Sequence, residues 1–333
     1  MKLLKYSVIS LGLAIALTGC GSDSDGGNST TGKFSLGVSD APIDDVSSVT
    51  AVYNRAVLLP QDGSDPIELD FTTGDIDENG NVSVELLDYQ GASIAPLVTD
   101  VEVPAGDYKL CLFVLDGVEQ DERYSHVIEG ELETGPHYPL QVQGDGACPQ
   151  GVGKEDGAGV LYFNKTFSVN NGNNDFVAEF DLRRGLKAPV GNKDYYTIQR
   201  TSVQLINEVE SGHISGTVDV NLVSTCAGGN PDDAVSAVYV YSGTVALENM
   251  KGFNDEFVDN QVAPTTSANV IFDQDTNTYS YEVGFLGAGI YSLGYSCNAD
   301  DDVENSLEDF LIYQAQQNIS VVKNETTEAN FTE

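Results

Sequence analysis

The sequence predicts an all-β chain of two β-sandwich domains behind an apolar leader and a flexible tether. Three observations lead there. Short segments of alternating apolar and polar residues recur, parted by Asn- and Gly-rich breaks such as DENGN (77–81) and NNGNN (170–174), the pattern of strands joined by turns. Gly occurs 34 times and Tyr 16 times in 333 residues, with no long amphipathic helical run, which suits strands over helices. A ten-residue phrase appears twice, VPAGDYKLCL at 103–112 and LGAGIYSLGY at 286–295, as expected of two similar domains in a chain of this length.

The leader comes first. Lys2 and Lys5 precede an apolar stretch at 8–17 that is too short to cross a bilayer comfortably. It ends in LTGC (17–20), which resembles the bacterial lipobox. That resemblance implies a signal peptide over 1–19, cleavage before Cys20 and a lipid on Cys20; an ordinary secretory signal is the competing reading. Gly21 follows in place of the Asp that retains many lipoproteins at the inner membrane, so the resemblance favours the outer membrane, with the membrane as a partner through the N-terminal anchor. Residues 20–32 form the lipidated Cys and a Gly/Ser/Thr/Asn tether reaching roughly 20 Å.

Strands are then expected at 48–59, 81–87, 97–103, 165–170 and 175–182, and again at 213–223, 237–243 and 278–286. The acid- and Gly-rich stretch 117–160 is expected as a long loop with one or two short strands. Residues 306–317 are the best helical candidate and equally readable as a strand. In each repeat the Ala-Gly pair makes a turn and Tyr108 or Tyr291 enters a core, its hydroxyl reaching backbone as a tyrosine corner does. Alternation sets Tyr291, Leu293, Tyr295 and Cys297 on one face and Cys111 on the face opposite Tyr108.

With Cys20 set aside, four cysteines remain, Cys111, Cys148, Cys226 and Cys297. An even number in an exported chain reads as disulfides, and three pairings are open. Cys111–Cys148 with Cys226–Cys297 is preferred because it puts one bond on each side of a boundary near residue 210. Each would stabilise by about 4 kcal/mol in the loop-closure picture. Zinc has no support, since there is no Cys-x-x-Cys and no neighbouring His.

Charge narrows the partners. Against 15 Lys and Arg stand 52 Asp and Glu, a formal −37, which excludes nucleic acid as a partner. Five bases cluster within 18 residues: Arg183, Arg184, Lys187, Lys193 and Arg200. They read either as ion pairs with the acidic majority or the neighbouring domain, or as a small anion site for a lipid phosphate or an acidic glycan. Tyr195 and Tyr196 lie beside them as candidate glycan contacts.

Several segments carry a family resemblance. FSLGVSDAPIDDVSSVTAVYNRAVLL (34–59), LLDYQGASIAPLVTDVEVPAGDYKL (86–110), FNKTFSVNNGNNDFVAEFDLRRGLKAP (163–189) and YYTIQRTSVQLINEVESGHISGTV (195–218) together resemble the bacterial lipoprotein family called domain of unknown function 4382, over 33–210. Cys111, Cys148 and the Gly-rich insert between them depart from its pattern. Residues 211–333 are similar to the carboxypeptidase-regulatory or prealbumin-like sandwich, with GHISGTVDVN as first strand, LGAGIYSLGY as its Gly-x-Tyr strand and NISVVKNETTEANFT (318–332) as closing strand. The resemblances imply Ig-like or prealbumin-like sandwiches and no assigned activity.

Chemistry is sparse. His126, His137 and His213 show no i, i+4 spacing and no His-Glu-x-x-His context; each is expected as a surface or strand histidine. No Gly-x-Ser-x-Gly elbow and no phosphate loop occurs. One loop has the spacing of a calcium site: Asp75, Asp77, Asn79 and Asn81 offer oxygens around Gly80, with Glu85 one place short of the usual bidentate position. A hairpin turn at 78–81 is the alternative. Asp300, Asp301, Asp302 and Glu304 are expected as a solvated acidic loop. The reading is a non-catalytic, lipid-anchored cell-envelope protein that binds or scaffolds another envelope protein. A calcium-dependent glycan-binding or adhesion module is the alternative and a carboxylate-based hydrolase the third. No cofactor other than calcium at that loop enters the reading.

Overall fold

A computed structural model of the chain describes residues 30–303 and 310–333, apart from positions 42, 44, 45, 120, 145, 232 and 233. The leader, Cys20 and most of the tether lie outside the described residues. The strands in chain order are β1 (Thr31–Ala41), β2 (Ser48–Pro60), β3 (Ile67–Leu69), β4 (Asp75–Ile76), β5 (Val82–Glu85), β6 (Ala95–Pro104), β7 (Gly106–Leu115), β8 (His126–Ile128), β9 (His137–Val142), β10 (Ala158–Val169) and β11 (Asn173–Asp181). There follow β12 (Leu186–Lys187), β13 (Tyr196–Ile198), β14 (Val203–Asn207), β15 (Ser211–Val218), β16 (Ala237–Ser242), β17 (Thr266–Asn269), β18 (Ile271–Asp273), β19 (Thr278–Gly287), β20 (Gly289–Ser296), β21 (Gln314–Val321) and β22 (Thr326–Glu328). Two short helices, α1 (Leu182–Gly185) and α2 (Val220–Cys226), interrupt them.

The strands make four sheets, two from residues before 208 and two from residues after 210. In the first half a four-stranded sheet, β14-β11-β1-β6, faces a ten-stranded one built along β10-β7-β2-β8-β9-β13-β12. Phe34, Leu36 and Val38 of β1 and Phe176 and Phe180 of β11 meet Tyr53, Leu58, Leu110 and Leu112 of the opposing sheet in one buried core. In the second half β18-β19-β15-β22 faces β17-β16-β20-β21, with Ile214, Val283, Val240, Leu293, Tyr295 and Phe331 between them. The fold is all-β, with sandwiches in both halves.

Strands β7 and β16 are buried on both faces over CLFV and AVYVY, which explains their continuous apolar runs. On β7 the second layer is the segment around Cys148, packed on Val57, Leu59, Cys111 and Phe113. On β16 it is the chain around Met250, Ala299 and Ile312. The disulfides Cys111–Cys148 and Cys226–Cys297 are present, the first tying the outer layer to β7.

Three expectations are corrected. Residues 213–223 do not form one strand: β15 ends at Val218, and Asp219 caps α2 by accepting from the Asn221 amide at 2.8 Å. The helix directs Leu222 and Val223 into the core, so the apolar positions there follow a helical period. Residues 318–332 are not a single closing strand. The chain turns at 322–325, with Asn324 at φ 58°, and β21 pairs with β20 while β22 runs parallel to β15 in the other sheet. The first strand also begins at Thr31, inside the predicted tether.

Candidate functional site

Among the described residues, two contacts between the halves frame two concavities that lie at their junction. The first contact starts at Asp181, whose carboxylate accepts from the Arg184 amide at 3.1 Å and caps α1. That turn projects Arg183 into the second half, where it is 7 % exposed. Its Nη1 donates to the Ala299 carbonyl at 3.2 Å, its Nη2 to Asn269 Oδ1 at 2.6 Å, and the guanidinium lies 5.8 Å over the Tyr239 ring. At the second contact the loop at Gln90–Ala92 rests on β19. The Ala92 amide donates to Glu282 Oε2 at 3.2 Å, and a Cβ on Gly284 would stand 2.1 Å from the Gly91 carbonyl oxygen. Only glycine permits that approach.

One groove, about 550 Å³, is lined by Gln90, Ser215, Thr217, Ser280, Glu282 and Asn330. A second, about 430 Å³, opens beside Arg183 and is lined by Lys187, Val190, Lys193, Thr197, Asn254 and Asp302. Both clefts mix polar and apolar lining, the second including Ile43, Val46 and Leu186, and both take residues from each half.

The acids near this junction are held by the fold. Asp302, expected in a solvated loop, is 4 % exposed. Its carboxylate accepts from the amides of Phe253 and Asn254 at 2.9 Å each. Burial raises its pKa, opposed by those amides and by Arg183. Burial likewise pushes Asp181 up to about 7, against the pull of the Arg184 amide and the charges of Arg184 and Arg183. Asp40, at the end of β1, is 1 % exposed. Burial raises it well above the usual carboxylate range, with Asp181, Glu179 and Glu85 acting the same way, while the Leu182 amide beside it favours its charged form.

Of the five clustered bases, Arg183, Lys187 and Lys193 reach the second groove. Arg200 instead donates to the Gly144 carbonyl at 2.6 Å. Tyr196 is buried on β13 and its hydroxyl donates to Glu129, while Tyr195 lies beneath Lys193. Tyr196, mostly buried by the strand period, still lines the second groove with Lys187 and Lys193.

The calcium-spaced loop is a hairpin: β4 pairs with β5, Asp75 opposite Ser83. Asp77 accepts from the amides of Asn79 and Asn81 at 2.8 Å each, and these donors lower its pKa, the Asn81 amide most. Glu85 is not brought to the loop. It pairs opposite Thr50 and accepts from Ser48, Thr50 and the Val49 amide on β2. Among the described residues no three His, Cys, Asp or Glu side chains gather as a group that could hold a metal ion.

A two-layered all-β pair of sandwiches, cleft at its junction, is the class of protein these features define. Residues 31–199 match the family described as Domain of unknown function (DUF4382), and the chain belongs to that family. The match stops before β14. No curated protein matches the chain. Among solved structures, a leucine-rich repeat protein from Bacteroides thetaiotaomicron is 12 % identical at a TM-score of 0.22; the alignment covers 91 % of this chain and 26 % of that one. This chain thus spans about a quarter of that protein. A candidate cell adhesion protein of Bacteroides fragilis is 9 % identical over 90 % of this chain and 91 % of its own, TM-score 0.19. The fimbrial anchor protein of Porphyromonas gingivalis is 14 % identical over 80 % and 79 %, TM-score 0.16. These scores lie far below those of a shared fold.

Proposed function

We propose that the chain is a non-catalytic binding or scaffolding module of the bacterial cell envelope, held at an outer membrane by a lipid on Cys20. Residues 33–210 and 211–333 are its two modules, the second prealbumin-like. One observation carries the binding reading: the larger grooves lie at the junction of the two halves, where binding sites concentrate. Three of the acids with raised pKa have structural roles: Asp181 caps a helix, Asp302 holds a loop and Asp40 is buried at the end of β1.

A photo-crosslinking residue placed at Ser280 or Lys193, one in each groove, tests the reading in envelope preparations. Asp65, beyond the far end of β2, serves as the control. Adducts from the groove positions and not from Asp65 support it; none, or the same adducts from all three, would overturn it. The anchor has its own test. An alkyne fatty acid fed to cells should label the parent, and Cys20→Ser should abolish the label and release the chain from membranes.

A further inference from the structure

Two of the chain's three histidines face one another on neighbouring strands. His126 opens β8 and His137 opens β9, with His126 opposite Pro139 and Ile128 opposite His137. The two imidazoles are therefore diagonal neighbours on one sheet face. Their rings are stacked, with centroids 5.8 Å apart and planes 15° from parallel. His126 is half-buried and His137 exposed, at a shallow depression that also includes Asp121, Glu122 and Tyr138.

Each ring turns its Nδ1 toward an oxygen. His126 Nδ1 lies 3.0 Å from the Tyr124 carbonyl oxygen, which places the proton on Nδ1 and leaves the lone pair on Nε2. His137 Nδ1 lies 3.6 Å from Glu122 Oε1. A backbone carbonyl or a carboxylate behind the non-ligating nitrogen is the usual outer support of a metal-binding histidine; it orients the ring and makes the other nitrogen a better donor. His126 has that support, and Glu122 stands at ion-pair distance behind His137. Neither Nε2 has a hydrogen-bond partner among the described residues.

We infer that His126 and His137 form a surface site for a divalent transition metal ion of imidazole-preferring type, Cu²⁺ above Ni²⁺ and Zn²⁺. Metal–nitrogen bonds of about 2.0–2.1 Å let one ion join nitrogens up to about 4 Å apart, a span that rotation of the exposed His137 side chain supplies. Imidazole selects these ions over Ca²⁺ and Mg²⁺, and Cu²⁺ binds most tightly in the series. With two protein ligands the site is open. Water or a donor from a partner fills the remaining positions, and Glu122 acts as a positioning residue. The chain's formal −37 charge raises the local concentration of cations around it.

The test uses the full chain, stripped of metal and titrated with Cu²⁺ under excess Mg²⁺ to occupy the carboxylate surface. Electron paramagnetic resonance should show one equivalent of Cu²⁺ with hyperfine structure from two imidazole nitrogens. His126→Gln and His137→Gln should each weaken binding at least about tenfold, and Glu122→Gln about tenfold. His213→Gln should leave it unchanged, since His213 Nδ1 accepts from the Phe285 amide at 3.3 Å on another sheet. Thermal unfolding checks that the exposed His137 variant is folded. Cu²⁺ without nitrogen hyperfine structure, or binding that survives both His126→Gln and His137→Gln, would overturn the inference.

Discussion

Asp181 keeps its proton to about pH 7 because burial outweighs the help of the Arg184 amide and the two neighbouring guanidinium groups. A carboxyl group raised in the folded state holds a proton that the unfolded chain, titrating near 3.8, has already released. Its contribution to stability is complete below about pH 4 and is lost as pH climbs through about 7. Asp40, raised by burial and by Asp181, acts in the same direction. Urea unfolding should therefore show stability falling between about pH 4 and 8. Asp181→Asn keeps an oxygen for the Arg184 amide, so it should flatten the profile and exceed the parent at the alkaline end. Parallel profiles for parent and variant would refute the assignment. None of this is visible in sequence: one-sixth of the chain is acidic, and period alone does not tell which acid faces a core.

The paired Ala-Gly-x-Tyr phrases become, at the scale of the element, two copies of one turn. Tyr108 Oη donates to the Pro104 carbonyl at 2.6 Å and Tyr291 Oη to the Gly287 carbonyl at 2.8 Å, each four residues back. Tyr108→Phe should cost about 1 kcal/mol, and Tyr291→Phe less, because its bond is exposed to water. Urea midpoints of the two variants check the order. These corners were legible, as were the face of Cys111 and most strands, because each rests on alternation within a few residues. Elements that depend on a distant partner were not. Glu85 leaves the predicted loop because β5 pairs with β2, and α2 replaces a strand where Asp219 caps and Leu222 and Val223 meet a core at helical spacing. The pairing of His126 with His137 depends on two three- and six-residue strands meeting, and no local pattern announces it.

Across the whole molecule, Arg183 and the Gly284–Gly91 approach are two described contacts between the halves. Cutting back a buried, hydrogen-bonded guanidinium leaves its partners unpaired, a loss on the order of 3 kcal/mol. Arg183→Ala should split a single calorimetric transition into two, one for each half. Gly284→Val should do the same by forcing the Gly91 loop off β19. A single transition in both variants, at the parent's temperature, would mean that the halves are joined elsewhere.

The place of β1 has a mechanical meaning. It is the first of the described strands, and it lies inside its sheet, with β11 along one edge from Lys33 to Ala41 and β6 along the other. A pull entering at Thr31 runs along the strand axis, crosswise to both rows of hydrogen bonds. It loads them together in shear, where an edge strand would peel one bond at a time. The end of the chain nearest the proposed anchor is thus the end built to bear tension.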